Sequence, residues 1–176
     1  MVKKRAYIKH LNFIKGDFSL ILGSDSWINH SNKISTIGHS YHPVKLELLS
    51  HAKIGVSHLL DMTDSIRIGE YSMLAGSDTQ IWTHSFYYSK ETAKIARIDA
   101  PVLIGSHCYI GSRCCITSGV TIGDAITVGA QTCVSKSIDK QGLYVSQPMR
   151  YIEFDPDNKI NNLGEPIYSS YVYRKQ

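Results

Sequence analysis

Between Ile104 and Val134 an aliphatic residue returns at every sixth position: Ile104, Ile110, Ile116, Ile122, Val128 and Val134. The residue after it is Gly105, Gly111, Gly123 or Gly129 in four units and Thr117 or Ser135 in the other two. A strand alternates with a period of two and a helix repeats near 3.6. Six units in register suit neither a helix nor a hairpin meander. A strict short repeat marks a solenoid, and a six-residue period marks a parallel β-helix. Each hexad then predicts one flat side of a triangular prism, and three hexads predict a coil. Position one points inward, and so does position five, which reads Cys108, Cys114, Val120, Ile126, Thr132 and Ile138. The glycines are expected near the corners, where a side chain or an ordinary φ is awkward. Ile104 should stack with Ile122, Ile110 with Val128 and Ile116 with Val134, so that each strand finds its hydrogen bonds in the next coil.

Upstream the beat is less regular. Leu48, Ile54 and Leu60 keep the step, a slip of two follows, and Ile68-Gly69 and Leu74-Ala75 resume it. Residues 85–101 break the pattern with Tyr87, Tyr88, Lys90, Lys94 and Arg97 and end at Pro101. This segment predicts one long excursion loop pushed out from a corner, a place where function concentrates. Beyond Ile138 the repeat fades into an extended run over 143–152 and a C-terminal tail over 153–176, expected to cap the open end of the solenoid. The first 43 residues hold two short strand-like runs, Phe18-Ser-Leu-Ile-Leu and Ile34-Ser-Thr-Ile, which read as imperfect coils at the other end. The expectation is a single all-β domain over 1–176 with its core repeat at about 48–142.

Composition narrows the partners. The chain has 176 residues and a net charge of +4. Its basic residues are scattered, apart from Lys3, Lys4 and Arg5, so no nucleic-acid partner is expected. There is no apolar leader and no run of about 18 apolar residues, so neither a signal peptide nor a membrane span is expected and the protein reads as cytoplasmic. The four cysteines lie inside the repeat at spacings that match no zinc pattern. Cys115 and Cys133 should stack on neighbouring coils about 4.8 Å apart, as free thiols.

The stretch IWTHSF, the loop, then PVLIGSHCYIGSRCCITSGVTIGDAITVGAQTCVSKSI and YVSQPMRYI together resemble the left-handed β-helix acyltransferases. The similarity over residues 48–152 is to the sugar O-acetyltransferases, including galactoside and maltose acetyltransferases and polysaccharide-modifying enzymes. The resemblance alone implies the left hand, since the general crossover rule predicts the opposite one. It also implies a homotrimer with acetyl-CoA, as co-substrate, bound between neighbouring prisms. It puts His84 where this family carries its catalytic histidine. A histidine titrates near neutral pH, so it can take a proton from a hydroxyl that attacks a thioester and release it again.

By the same resemblance, Ser112 falls at the thioester end of the coenzyme, with its amide a candidate oxyanion donor. Ala130 falls along the pantetheine, Ser135 and Lys136 beside the nucleotide end, and Arg150 near the phosphates. Tyr109 stands where the family usually shows Trp and keeps an aromatic wall. Gln147-Pro148 replaces Asn-Pro or Val-Pro, and Glu153 replaces a second basic residue. On the acceptor side the candidates are Asp61, Asp64 and, in the same region, Asp78, with Trp82 and Tyr87 as aromatic partners. A three-histidine zinc site, as in related β-helix carbonic anhydrases, lacks ligands, since only His107 follows His84; no metal is expected. The leading expectation is an acetyl-CoA-dependent O-acetyltransferase of a sugar or glycan, with direct transfer in a ternary complex. The alternatives are an N-acetyltransferase of a nucleotide-linked amino sugar and a non-catalytic β-helix scaffold.

Overall fold

Hydrophobic stacking along the six-residue beat organises the prism. A computed structural model describes residues 1–36, 39–88, 90, 95–146 and 150–153, with Arg150 described by its backbone alone. Lys94, Gln147-Pro148 and tail residues 154–176 lie outside the described residues. Among these residues there are strands and no helix, hence no helix long and apolar enough to cross a membrane. Three parallel sheets form the sides of a prism and are visited in the same order on every turn. The first side stacks Ser19–Leu22, Lys45–Leu48, Ile66–Ile68, Val102–Ile104 and Thr121–Ile122. The second stacks Tyr7–Ile8, Trp27–Ile28, Lys53–Val56, Met73–Ser77, Tyr109–Ile110, Ile126–Val128 and Gly142–Val145. The third stacks Phe13–Lys15, Lys33–Ser35, Leu59–Asp61, Gln80–Ile81, Cys115–Ile116 and Cys133–Val134. Arg150–Ile152 turns back antiparallel on Gly142–Val145, which ends the parallel stack.

The expected registers are present: Ile104 pairs with Ile122, Ile110 with Val128, and Ile116 with Val134. Cys115 faces Cys133 across that last pair of strands, and both are free thiols. Positions one and five are buried throughout the repeat, and each fully buried aliphatic side chain contributes about 1.5–3 kcal/mol.

Two features differ from the sequence reading. The core repeat begins near residue 2 and not at about 48: the runs expected as imperfect coils pair in the prism's sheets as Ser19–Leu22 and Lys33–Ser35. Polar inward residues hide them from a hydrophobicity pattern. At one inner corner His58 N–H donates to Asn32 Oδ1 at 2.8 Å, Thr79 N–H to His58 Nδ1 at 3.1 Å, and Cys114 N–H to Thr79 Oγ1 at 3.1 Å. The column satisfies backbone donors that the corner turns expose to the interior. Second, the left-handed φ falls at position four of the hexad, at His107, Arg113, Gly119, Ala125 and Gln131, and not at the position-two glycines. The glycines are required where coils touch: a Cβ on Gly111 would lie 2.7 Å from Ala130 N.

Departures from the beat gather at one place. The described residues 39–44, 62–65, 82–88 and 95–101 all lie between a third-side strand and the next first-side strand. The predicted loop is a two-stranded antiparallel hairpin, His84–Tyr88 against Ile95–Asp99. A further irregularity, a step of seven from Leu74 to Ile81, is absorbed by a bulge at Gly76, whose φ is +66°.

Candidate active site

His84 opens the hairpin directly above Asp61, which ends the third-side strand of the coil below. Nδ1 of His84 lies 2.7 Å from Asp61 Oδ2. A carboxylate only accepts, so Nδ1 carries the proton and the lone pair is left on Nε2. Among the described residues Nε2 has no hydrogen-bond partner. The imidazole is 11% exposed and Asp61 not at all. Trp82 and Phe86 approach the ring edge-on, with centroids 5.9 and 5.4 Å away.

Asp61 is held on every side. Thr63 donates to Oδ1 from its amide at 3.2 Å and its hydroxyl at 2.7 Å. The Thr83 amide donates to Oδ2 at 3.0 Å, and its hydroxyl lies between Oδ2 and the Asp61 carbonyl. Burial alone pushes the Asp61 carboxyl up, but the hydrogen bonds from Thr63, His84 and Thr83 outweigh it and hold the group below its ordinary value of 3.8. The result is an ionised carboxylate that orients the imidazole through Nδ1, an arrangement suited to taking one proton at Nε2.

The other nominated residues divide by position. Asp61, expected toward the acceptor, is turned inward on His84 with its oxygens already in use. Asp64 is buried and lies 3.3 Å from His42 Nε2. Trp82 flanks His84 and donates through Nε1–H to Gln80 Oε1 at 3.1 Å. Tyr87 lies on the hairpin face opposite His84, because successive strand residues alternate. Ser135 and Lys136 are exposed on the same edge of the prism as His84, since Ile81, Ile116 and Val134 align. Ser112 and Ala130 lie at the opposite edge of that side, stacked beside Gly111. The Ser112 hydroxyl fills the space at the Gly76 bulge, and Tyr109 projects from the second side. Asp78 lies at the Ser112 edge, bound by the Ser77 hydroxyl at 2.7 Å. The side chain of Arg150 is outside the described residues. No group of three or more His, Cys, Asp or Glu among the described residues is placed to hold a metal ion.

Sequence reasoning missed Thr63, Thr83 and His42. Asp61-x-Thr63 has the spacing of a local side-chain turn, the signal that could have pointed to it. Thr83 and His42 leave no such trace.

Residues 101–135 match the family profile described as the hexapeptide repeat of succinyl-transferase. The chain shares the left-handed parallel β-helix with several solved structures. One is AntD, an N-acyltransferase from Bacillus cereus solved with dTDP and 3-hydroxybutyryl-CoA. It is 20% identical, with a TM-score of 0.72 over 90% of this chain and 84% of AntD. The acetyltransferase VCA0836 from Vibrio cholerae is 20% identical, with a TM-score of 0.56 over 85% of this chain and 70% of its own. The polySia-specific acetyltransferase NeuO is 15% identical, with a TM-score of 0.58 over 87% and 79%. No curated protein sequence matches the chain.

Proposed function

We propose that the chain is an acetyl-CoA-dependent O-acetyltransferase that moves the acetyl group onto a hydroxyl of a sugar or glycan, a cytoplasmic enzyme working as a homotrimer. The observation that carries this reading is the Asp61–His84 pair, with Nδ1 tied to a buried carboxylate at 2.7 Å and Nε2 left to act. In this reading Nε2 takes the proton of the acceptor hydroxyl as its oxygen attacks the thioester carbonyl. The oxyanion that forms is steadied by the Ser112 N–H. Its collapse restores the carbonyl and breaks the C–S bond, and the proton on Nε2 passes to the departing sulfur. The products are the acetyl ester and the free thiol of coenzyme A. Binding both substrates side by side removes the need for an acyl-enzyme. Asp61, ionised, steadies the imidazolium that exists between the two proton transfers.

Ser112 and His84 lie on opposite edges of one prism side. That separation supports a coenzyme lying between two copies, its thioester end held by one and its base supplied by the neighbour. Ala130 and Tyr109 then line the pantetheine, and Ser135, Lys136 and Arg150 meet the nucleotide end. Trp82 walls the acceptor beside His84, while Asp64 and Tyr87 act at its periphery.

The likeness to AntD, solved in one case with dTDP-4-amino-4,6-dideoxyglucose and coenzyme A, favours a second reading: N-acetylation of a nucleotide-linked amino sugar. The same base would serve. The test incubates the purified chain with acetyl-CoA and a panel of hydroxyl and amino sugars and follows released thiol. Release with hydroxyl sugars is expected. Release with amino sugars alone selects the second reading. No release with any acceptor, together with no coenzyme binding by calorimetry, leaves a non-catalytic scaffold.

A further inference from the structure

Three successive residues of the segment before Lys45 are each tied to the corner that holds His84. The Ser40 hydroxyl donates to the Thr63 carbonyl at 3.1 Å. The Arg97 guanidinium lies over the Tyr41 ring, 5.4 Å from its centroid. His42 Nε2 is 3.3 Å from Asp64 Oδ2. Their partners are the neighbours of the base. Thr63 holds Asp61, the Asp64 amide donates to Thr83 Oγ1 at 2.8 Å, and Asp99 pairs across the hairpin from His84. Arg97 spans the two segments, binding Asp99 at 2.7 Å and the His39 carbonyl at 2.9 Å.

A segment fixed this closely nonetheless leaves its largest side chain in solvent: Tyr41 is 85% exposed. Ordering a bare aromatic ring gains little from the hydrophobic effect, so packing does not account for the arrangement. Beside the ring runs a groove of about 490 Å³, lined by Asp17, Phe18, Ser19, Ser40, Tyr41 and His42. Aromatic faces suit the C–H face of a sugar ring, and a carboxylate with two hydroxyls suits its rim of hydroxyl groups. The lining contains no Lys or Arg, and Arg97 at its edge is already neutralised by Asp99. A diphosphate therefore finds a carboxylate and no free cation there.

We propose that this groove is a second sugar subsite, remote from the transferring centre, that holds a further unit of an oligosaccharide whose modified sugar lies at His84. The subsite rests on the acyl-transfer reading and deepens it: the acceptor is a glycan chain rather than a single sugar.

The test uses the full chain, calorimetry and initial rates of thiol release. The probes are N-acetylglucosamine and glucose oligomers of one to about six units, with dTDP as the nucleotide probe. In at least one series affinity is expected to rise about tenfold from the single sugar to the trisaccharide, the scale of one aromatic stacking contact. Tyr41→Ala and Asp17→Ala should erase that rise, and Tyr41→Phe should keep it. Circular dichroism and Tm check that the variants are folded. Length-independent binding, no binding of either series, or a length effect that survives Tyr41→Ala overturns the subsite. So does Tyr41-dependent binding of dTDP in place of the saccharides. Tyr41-dependent oligosaccharide binding without acetyl transfer to any acceptor keeps the subsite and sinks the acyl-transfer reading. Transfer to single sugars with no length effect does the reverse.

Discussion

Replacing Asp61 by Asn preserves the shape of the side chain and removes its charge. The carboxylate now receives Thr63 on Oδ1, and Thr83 and His84 on Oδ2. An amide must turn its NH2 toward one of these sets. Facing His84, it forces Nδ1 to accept, which moves the imidazole proton to Nε2 and occupies the atom that must take a proton from the acceptor. Facing Thr63, it leaves the Thr63 amide without an acceptor, at a cost of about 1–3 kcal/mol in stability. In either orientation the imidazolium formed during the reaction loses its counter-charge. With charge centres about 4 Å apart and an effective dielectric constant of about 20, that attraction is about 4 kcal/mol. At 1.36 kcal/mol per decade, kcat should fall about a thousandfold. The assay is thiol release with the best acceptor from the panel, corrected for the protein's own exposed Cys133. Coenzyme affinity by calorimetry should stay near wild type. If kcat stays within about threefold of wild type in a folded variant, His84 does not act through Asp61 and the reasoning fails.

His84→Ala should abolish turnover while leaving coenzyme binding largely intact; near-full activity would remove the histidine from the mechanism. Gly69→Ala places a Cβ 2.3 Å from the Gly105 backbone, so it should cost about 1–3 kcal/mol and lower Tm by several degrees, which a thermal melt would show or deny. Burial holds His58 below its ordinary 6.5, partly opposed by the Leu74 carbonyl and by Asp78. The folded chain keeps it neutral while the unfolded chain takes up a proton below about pH 6.5. Its contribution is therefore full above that pH and lost as pH falls further. Urea midpoints between about pH 8 and 5.5 should drop more steeply for wild type than for His58→Gln, and equal slopes would contradict the assignment. Asp61 acts lower on the scale. Its depressed carboxyl contributes stability above its ordinary 3.8 that is lost as pH falls through the folded value, so Asp61→Asn should flatten the acid end of the unfolding curve.

The beat from Ile104 to Val134 was legible because one covalent step sets it and one packing rule enforces it: each inward aliphatic stacks on its own kind in the next coil. Where the interior is polar, as at Asn32, His58 and Thr79, the same coil continues, but hydrophobicity no longer reports it. The interruption after IWTHSF was visible as a break, and its antiparallel pairing was not, because Phe86 meets Arg97 and His84 meets Asp99 only after the hairpin closes. Local order marks His84 by its place before the break. Asp61 is 23 residues away in sequence, and Thr83, His42 and Arg97 carry no spacing that joins them to it. One turn of the prism stacks these residues, and the three segments that leave the beat do so at a single corner. The period, the inward positions and the coil therefore follow from the order of residues alone. The tertiary structure alone decided what meets His84, because that depends on which residues successive turns bring level.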